Sequence, residues 1–448
     1  MKYETVKSII LIMLVAVSIF LTWNIWTYQP KYDTMDSADA YDISISEKKE
    51  TKSLIKPFKF FYHEGDKVWG TTNEIEINTL LDEMMKWNIS ELNNITNSVS
   101  DKALDEMVHG DRRLEIIFPD IVPFQEYSNV LNFEDKSLPS NSFDRIIVDT
   151  TDNNDDTNIV YFVKYRENES SVFEGRINSN YLPLLEKEVI REIPYNYASY
   201  FTSKFNKKTL HLPVERPEKI SYQYYTKEFS TEDFKLALFS DPTSVKKDYS
   251  STGEEFTDWT SIMRVDTENN TLEYVNPAEE PTGSSNLNQL VERSIEYVND
   301  HGGWTDNYQF FSASTSENKI DYRLFLQGLP VFDDRDMSVI TQVWGRDSIN
   351  RYERPYFSLK LSIPSYIKKV KVPSGSELLT ILERAENAEM LERQYIEDVA
   401  IGYKLKKEPN WSQLKIIALE PSWYYKLSGS WIRLPSMEEI KEVENGLE

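Results

Sequence analysis

Four histidines, His63, His109, His211 and His301, offer the strongest metal-binding side chains in a chain of 448 residues that contains no cysteine. They are spread along the sequence, and none falls in H-E-x-x-H or H-x-H spacing, so no zinc site built from them is expected. The lack of cysteine also removes a disulfide scaffold, a thiolate zinc site and a cysteine nucleophile. No G-x-G occurs, which removes the dinucleotide fingerprint. Gly65 and Gly70 have the spacing of a phosphate loop, but Thr71 and Thr72 stand where that loop needs a lysine and then a hydroxyl. The two glycines read instead as hairpin turns.

Hydrolase signatures are equally incomplete. S-x-x-K recurs at Ser53, Ser244, Ser316, Ser365 and Ser412, but neither S-D-N nor K-T-G accompanies it, and the penicillin-binding mechanism needs all three to converge. G-x-S-x-G is missing. Adjacent acids such as Glu254-Glu255 and Asp333-Asp334 are expected by chance among 74 acidic residues and read as solvated loops. The run from Asp149 through Asp152, Asp155 and Asp156 offers oxygen ligands to calcium, yet it lacks the glycine and terminal glutamate of an EF-hand and reads as a polar hairpin loop. Met84, Met85 and Met107 read as core. No catalytic residue, metal ligand or cofactor is therefore assigned.

The N-terminus is more informative. From Ser8 to Trp26 the sequence SIILIMLVAVSIFLTWNIW carries no charge, and about 20 apolar residues suffice for a helix to cross the hydrocarbon core. Lys2 and Lys7 precede the run, Trp23, Trp26 and Tyr28 form an aromatic edge, and Asp33 and Asp36 follow, so residues 1–7 are expected in the cytoplasm and the remainder outside. Small residues in cleavage spacing occur only at Ala16 and Ser18, in mid-segment, which favours an uncleaved anchor over a signal peptide. Helical geometry places Leu11, Val15, Ser18 and Thr22 on one face, the candidate transmembrane interface.

Residues 27–54 are polar and charged and read as a stalk, with ordered structure expected from about Ile55. The rest predicts an α+β protein: a multi-domain extracytoplasmic part of antiparallel sheets with a few packed helices. Boundaries fall at 55–212, 213–372 and 373–448, marked by Pro213 and Pro217 and by Pro373-Ser-Gly375. In the first part, Thr71-x-x-Glu74 predicts a capping box before the apolar face of Ile77, Leu80, Leu81 and Met84. Strands are expected at Leu114–Phe118, Arg145–Asp149, Ile159–Tyr165 and Val172–Ile177. In the second, a helix carries Leu287, Leu290, Val291, Ile295 and Val298 and is stopped by Gly302-Gly303. Strands at Asp321–Gln327, Met337–Trp344 and Tyr356–Ile363 follow, the last with Phe357, Leu359, Leu361 and Ile363 on one buried face. In the third, Ser374-x-x-Glu377 caps a helix with Leu378, Leu382, Ala385 and Ala388, before strands at Tyr395–Leu405 and Leu414–Leu419. The middle and last parts thus share an order of elements.

A net charge of −24 repels phosphate backbones, and no basic stripe offsets it, so no nucleic-acid partner is expected. The short basic start, the single span with its aromatic edge, the long acidic exterior and the stretch Tyr322-Arg-Leu-Phe325-Leu-Gln-Gly328-Leu-Pro330-Val331-Phe332 together resemble the YycH (WalH) family of Gram-positive bacteria, over essentially the whole chain. That resemblance implies a non-enzymatic accessory protein of the essential WalK (YycG) sensor histidine kinase, working with a YycI-like single-pass partner in the cell membrane. It also implies a three-part exterior whose middle and C-terminal parts look alike. An anchored cell-wall glycan-binding module or hydrolase is the competing reading. A deep cleft with convergent acids and a surface tryptophan would favour it, whereas broad apolar patches would favour protein contact.

Overall fold

Gly65, at φ +55°, lets the chain reverse between two short strands, and this hairpin starts the first of two large sheets. The computed structural model describes Lys7, residues 13–15 and 17–18, and residues 45–446 except 152–156, 167–168, 179–180, 206–207, 282 and 410–413. The chain divides into two units, residues 1–41 and 42–448.

In the first unit the described residues, among them Val15 and Ser18, are helical and exposed. Among the described residues no helix is long and apolar enough to cross a membrane. Most of the apolar run 8–26, with Leu11 and Thr22 in it, lies outside them.

In the second unit, ten strands form the first sheet. They are β1 (Lys59–Glu64), β2 (Lys67–Thr71), β3 (Asn88–Asn94), β4 (Arg113–Pro123), β5 (Asn132–Phe133), β6 (Ser142–Asp149), β7 (Thr157–Lys164), β8 (Ser171–Asn178), β9 (Ala198–Phe205) and β10 (Lys208–Pro213). Their order is β10-β9-β2-β1-β4-β6-β7-β8-β3-β5, antiparallel except for the β3–β5 pair. Phe118, Phe124, Phe143 and Phe162 meet at tilted and edge-on angles beneath it, with Tyr127 and Trp87 fully buried nearby.

The second sheet holds fifteen strands. They are β11 (Glu218–Glu228), β12 (Lys246–Tyr249), β13 (Glu254–Thr257), β14 (Ile262–Asp266), β15 (Thr271–Val275), β16 (Tyr308–Ser314), β17 (Lys319–Leu326), β18 (Leu329–Phe332), β19 (Val339–Trp344), β20 (Ile349–Pro355), β21 (Phe357–Ser362), β22 (Lys368–Lys371), β23 (Ile396–Lys407), β24 (Ile416–Leu427) and β25 (Ser430–Arg433). The helices Leu287–Asp300 and Gly375–Asn387 each bury an apolar face, and the second closes the expected capping box between Ser374 and Glu377. This is the expected α+β class, with strands in antiparallel groups and few helices.

Several local expectations change in the folded chain. Residues 45–54, expected in the stalk, are docked instead: Ser46 Oγ donates to the Trp304 carbonyl, Lys49 Nζ donates to the Asp306 carbonyl, and Leu54 is fully buried. Ile45 and Leu54 supply the apolar contacts that the polar composition obscures. The boundary at 373 does not separate two sheets, because β24 pairs with β11 and β18 runs parallel to β23. The helix Glu74–Met84 is capped by Asn73, whose side chain accepts from the Ile75 amide, while Thr71 stays in β2. Gly70 is no turn; it lies in β2 opposite Phe61, whose ring leaves no room for a Cβ. On β21 the burial fades along the strand and Leu361 is 64% exposed, because a bulge sets Leu359 opposite Thr226 and Leu361 opposite Tyr225, adjacent residues of β11 that point to opposite faces.

Candidate functional site

Three of the four histidines converge. His63 lies on β1, His109 ends the helix Asp101–His109, His211 lies on β10, and all three imidazoles surround the carboxylate of Glu115 on β4. Sheet pairing explains part of this meeting: His63 is opposite Arg113, so Glu115 follows two residues further along the same face. His211 arrives from the edge strand, with its ring 4.2 Å from that of Phe61. The spacing rules that separated these histidines apply to side chains on one element, and the three come from three elements, with Glu115 on a fourth.

One carboxylate oxygen serves the imidazoles and the other a guanidinium. Oε2 of Glu115 is 2.9 Å from Nε2 of His211, 3.4 Å from Nε2 of His63 and 3.6 Å from Nδ1 of His109. Oε1 accepts from Nη1 of Arg145, whose guanidinium also lies over the Tyr165 ring. Glu115 is 0% exposed. Burial pushes its carboxyl up, but Arg145 and the imidazoles outweigh burial and hold it well below the ordinary carboxylate range. Burial drives the His211 imidazole down to about 4, against the opposing pull of Glu115. Asp144, beside Arg145, is raised by its burial.

Glu115 was not legible as a site residue from spacing. Its signal is chemical: an acid inside the apolar strand run Leu114-Glu-Ile-Ile-Phe118, with Arg145 at the head of another apolar strand. Buried charges in strands are paired or functional. His301 stays apart, stacked on Tyr297 with ring centroids 3.9 Å apart.

Arg145 and His211 form part of the wall of a cavity of about 1010 Å³. Its remaining walls come from all three stretches of the exterior, including Asp120, Phe311, Asp398 and Trp431. Among the acids that line it, Asp120 accepts from Arg166, Asp398 accepts from Lys59, and Asp144 lies 3.8 Å from Arg145. Of the other residues singled out, Met84 is fully buried, while Asp152, Asp155, Asp156 and Ser412 lie outside the described residues.

Fold and site define an α+β protein of two large sheets with a polar cleft walled by residues of both. Residues 4–190 match the YycH protein N-terminal domain, and residues 207–439 match the YycH protein C-terminal domain. The chain belongs to the YycH family. The two-component system WalR/WalK regulatory protein YycH of Bacillus subtilis (strain 168) is 25% identical over 465 aligned positions, which cover 99% of each protein. The crystal structure of YycH from Bacillus subtilis has the same fold, with a TM-score of 0.73 at 20% identity, over 88% of this chain and 99% of that one.

Proposed function

We propose that this chain regulates a two-component sensor histidine kinase of the WalK type as a membrane-anchored, non-catalytic protein, together with a YycI-like single-pass partner. The observation that supports this most is the end-to-end similarity to a WalR/WalK regulatory protein, 99% of each chain being aligned. The uncharged run from Ser8 to Trp26 supplies an anchor, with the N-terminus in the cytoplasm and the sheets outside the cell. Such a regulator needs only a difference in affinity for two kinase states, commonly about 1–3 kcal/mol. Leu11, Val15, Ser18 and Thr22 are the helix face assigned to the contact within the bilayer.

Full-length protein carrying Ser18→Leu with Thr22→Leu tests that face. The double variant inserts in the membrane as before but recovers less kinase and less YycI-like partner on co-purification. Recovery equal to the unaltered chain removes these residues from the contact.

A further inference from the structure

The three distances from Oε2 of Glu115 to the imidazoles are close to those of a coordination shell. With bonds of about 2.0–2.1 Å to nitrogen and oxygen, tetrahedral geometry sets neighbouring ligand atoms about 3.3 Å apart. The three separations from Oε2 of Glu115, at 2.9, 3.4 and 3.6 Å, bracket that value, and one ligand atom from each of the four residues lies within 4.8 Å of all the others. Only the contact with His211 is a good hydrogen bond. Both ring nitrogens of His109 and Nδ1 of His211 are buried without a hydrogen-bond partner. Leaving a buried polar group unpaired is unfavourable, and a coordinated cation would satisfy the Nδ1 lone pair of His109.

The surrounding charge has the matching sign. Arg145 holds Oε1 of Glu115 and so leaves Oε2 to the imidazoles. Asp144 lies beside Arg145, and Asp105 Oδ1 lies 3.9 Å from Nε2 of His109, on the side away from Glu115 where an outer carboxylate would close on a ligating imidazole. The Glu115 carboxylate among the four ligands carries the sign that a cation requires. Three imidazole nitrogens and one carboxylate oxygen suit zinc and its neighbours, whereas calcium and magnesium take shells of oxygen.

We propose that His63, His109, His211 and Glu115 form a tetrahedral site for a divalent transition-metal ion of the zinc class. Four protein ligands leave no open position, so the role is structural rather than catalytic. The first two histidines and Glu115 fall in the N-terminal family segment and His211 in the C-terminal one. The ion thus staples β10, the last strand before the second sheet, to β1, β4 and the end of the helix Asp101–His109.

The test uses full-length protein in detergent, stripped by a chelator and titrated with Co²⁺ and then Zn²⁺ at neutral pH. One equivalent of Co²⁺ should give the visible absorption of tetrahedral cobalt, and one equivalent of Zn²⁺ should abolish it. Zn²⁺ should also raise the thermal midpoint, because the unfolded chain lacks the assembled site. His109→Ala is the informative variant, since Nδ1 of His109 lies 3.6 Å from Glu115, beyond hydrogen-bond distance, while His63 and His211 keep their places on β1 and β10, and its circular dichroism and metal-free thermal midpoint show whether it folds. Its affinity should fall by more than the ~10–100-fold that loss of an outer-shell partner costs, while His301→Ala binds as the unaltered protein does. Absence of a stoichiometric tetrahedral cobalt spectrum in the unaltered protein overturns the proposal, whether or not the variant folds. So does wild-type cobalt affinity in folded His109→Ala.

Discussion

Nζ of Lys59 donates to both carboxylate oxygens of Asp398, each at 2.8 Å, across 339 positions of sequence. Lys59 belongs to the first strand of the first sheet and Asp398 to β23 of the second. The pair stands in the wall of the large cavity, where it links the beginning and the end of the exterior fold. Their side chains are only 11% and 26% exposed, so solvent screens the attraction less than in a surface pair.

Asp398→Asn should therefore lower stability more than removal of an exposed partner such as Glu50, which pairs with Lys52 at the surface. A double-mutant cycle with Lys59→Met should give a coupling of about 1–3 kcal/mol in urea unfolding. Additive losses would show that the two side chains do not stabilise each other.

Acid should weaken the fold around Glu115 when a chelator keeps metal away. Burial sets the folded His211 imidazole at about 4 against 6.5 for the free group, so between those values the unfolded chain holds the extra proton. Stability is then highest near neutrality and falls as the pH drops through that window, by at most about 3 kcal/mol from this residue. Glu115 acts in the same direction at lower pH: its folded carboxyl is held low, so its contribution is present above the ordinary carboxylate range and is lost as the pH falls through the folded value. Urea midpoints at neutral pH and near pH 4 measure the His211 part, and His211→Gln should flatten the profile between them.

Gly328 turns the hairpin between β17 and β18 at φ +77°, and a Cβ there would stand 2.2 Å from the Thr72 carbonyl oxygen. The obstacle is backbone and cannot rotate away. Gly328→Ala combines left-handed strain with overpacking and should cost about 3 kcal/mol. Gly429, at φ +78° with open space around it, carries the strain alone, so Gly429→Ala should cost clearly less. Equal thermal shifts for the two would contradict a close approach at Gly328.

The two helix caps also separate sequence pattern from geometry. Asn73→Ala removes the acceptor for the Ile75 amide, and Ser374→Ala removes the acceptor for the Glu377 amide. Each should lower stability by about 1 kcal/mol. Thr71→Ala leaves the Ile75 bond in place and should cost less than Asn73→Ala, the reverse of the order expected from Thr71-x-x-Glu74.

Local patterns in this chain are legible because local physics sets them. The helix Leu287–Asp300 follows its apolar spacing and ends at glycines whose φ angles are +103° and +72°. The β-branched runs at Arg145–Asp149 and Val172–Ile177 lie in β6 and β8. Long-range pairing writes no such pattern. Nothing in the spacing of residues 63, 109, 115 and 211 announces a cluster, because it takes the pairing of β4 with β1 and the order of a ten-strand sheet to bring them together. The docking of residues 45–54 was hidden for the same reason: Glu47 bridges to Trp304 and the Lys49 carbonyl accepts from Asn299, about 250 positions away.

Co-purification of the full-length membrane protein tests the regulatory reading most directly, comparing the native chain with one whose residues 1–30 are replaced by an unrelated spanning helix. A WalK-type sensor kinase should be recovered with the native chain, and the swapped helix should recover less of it if the bilayer contact matters. Recovery of no kinase with either chain, while the exterior of the same protein binds cell-wall glycan, would contradict the account.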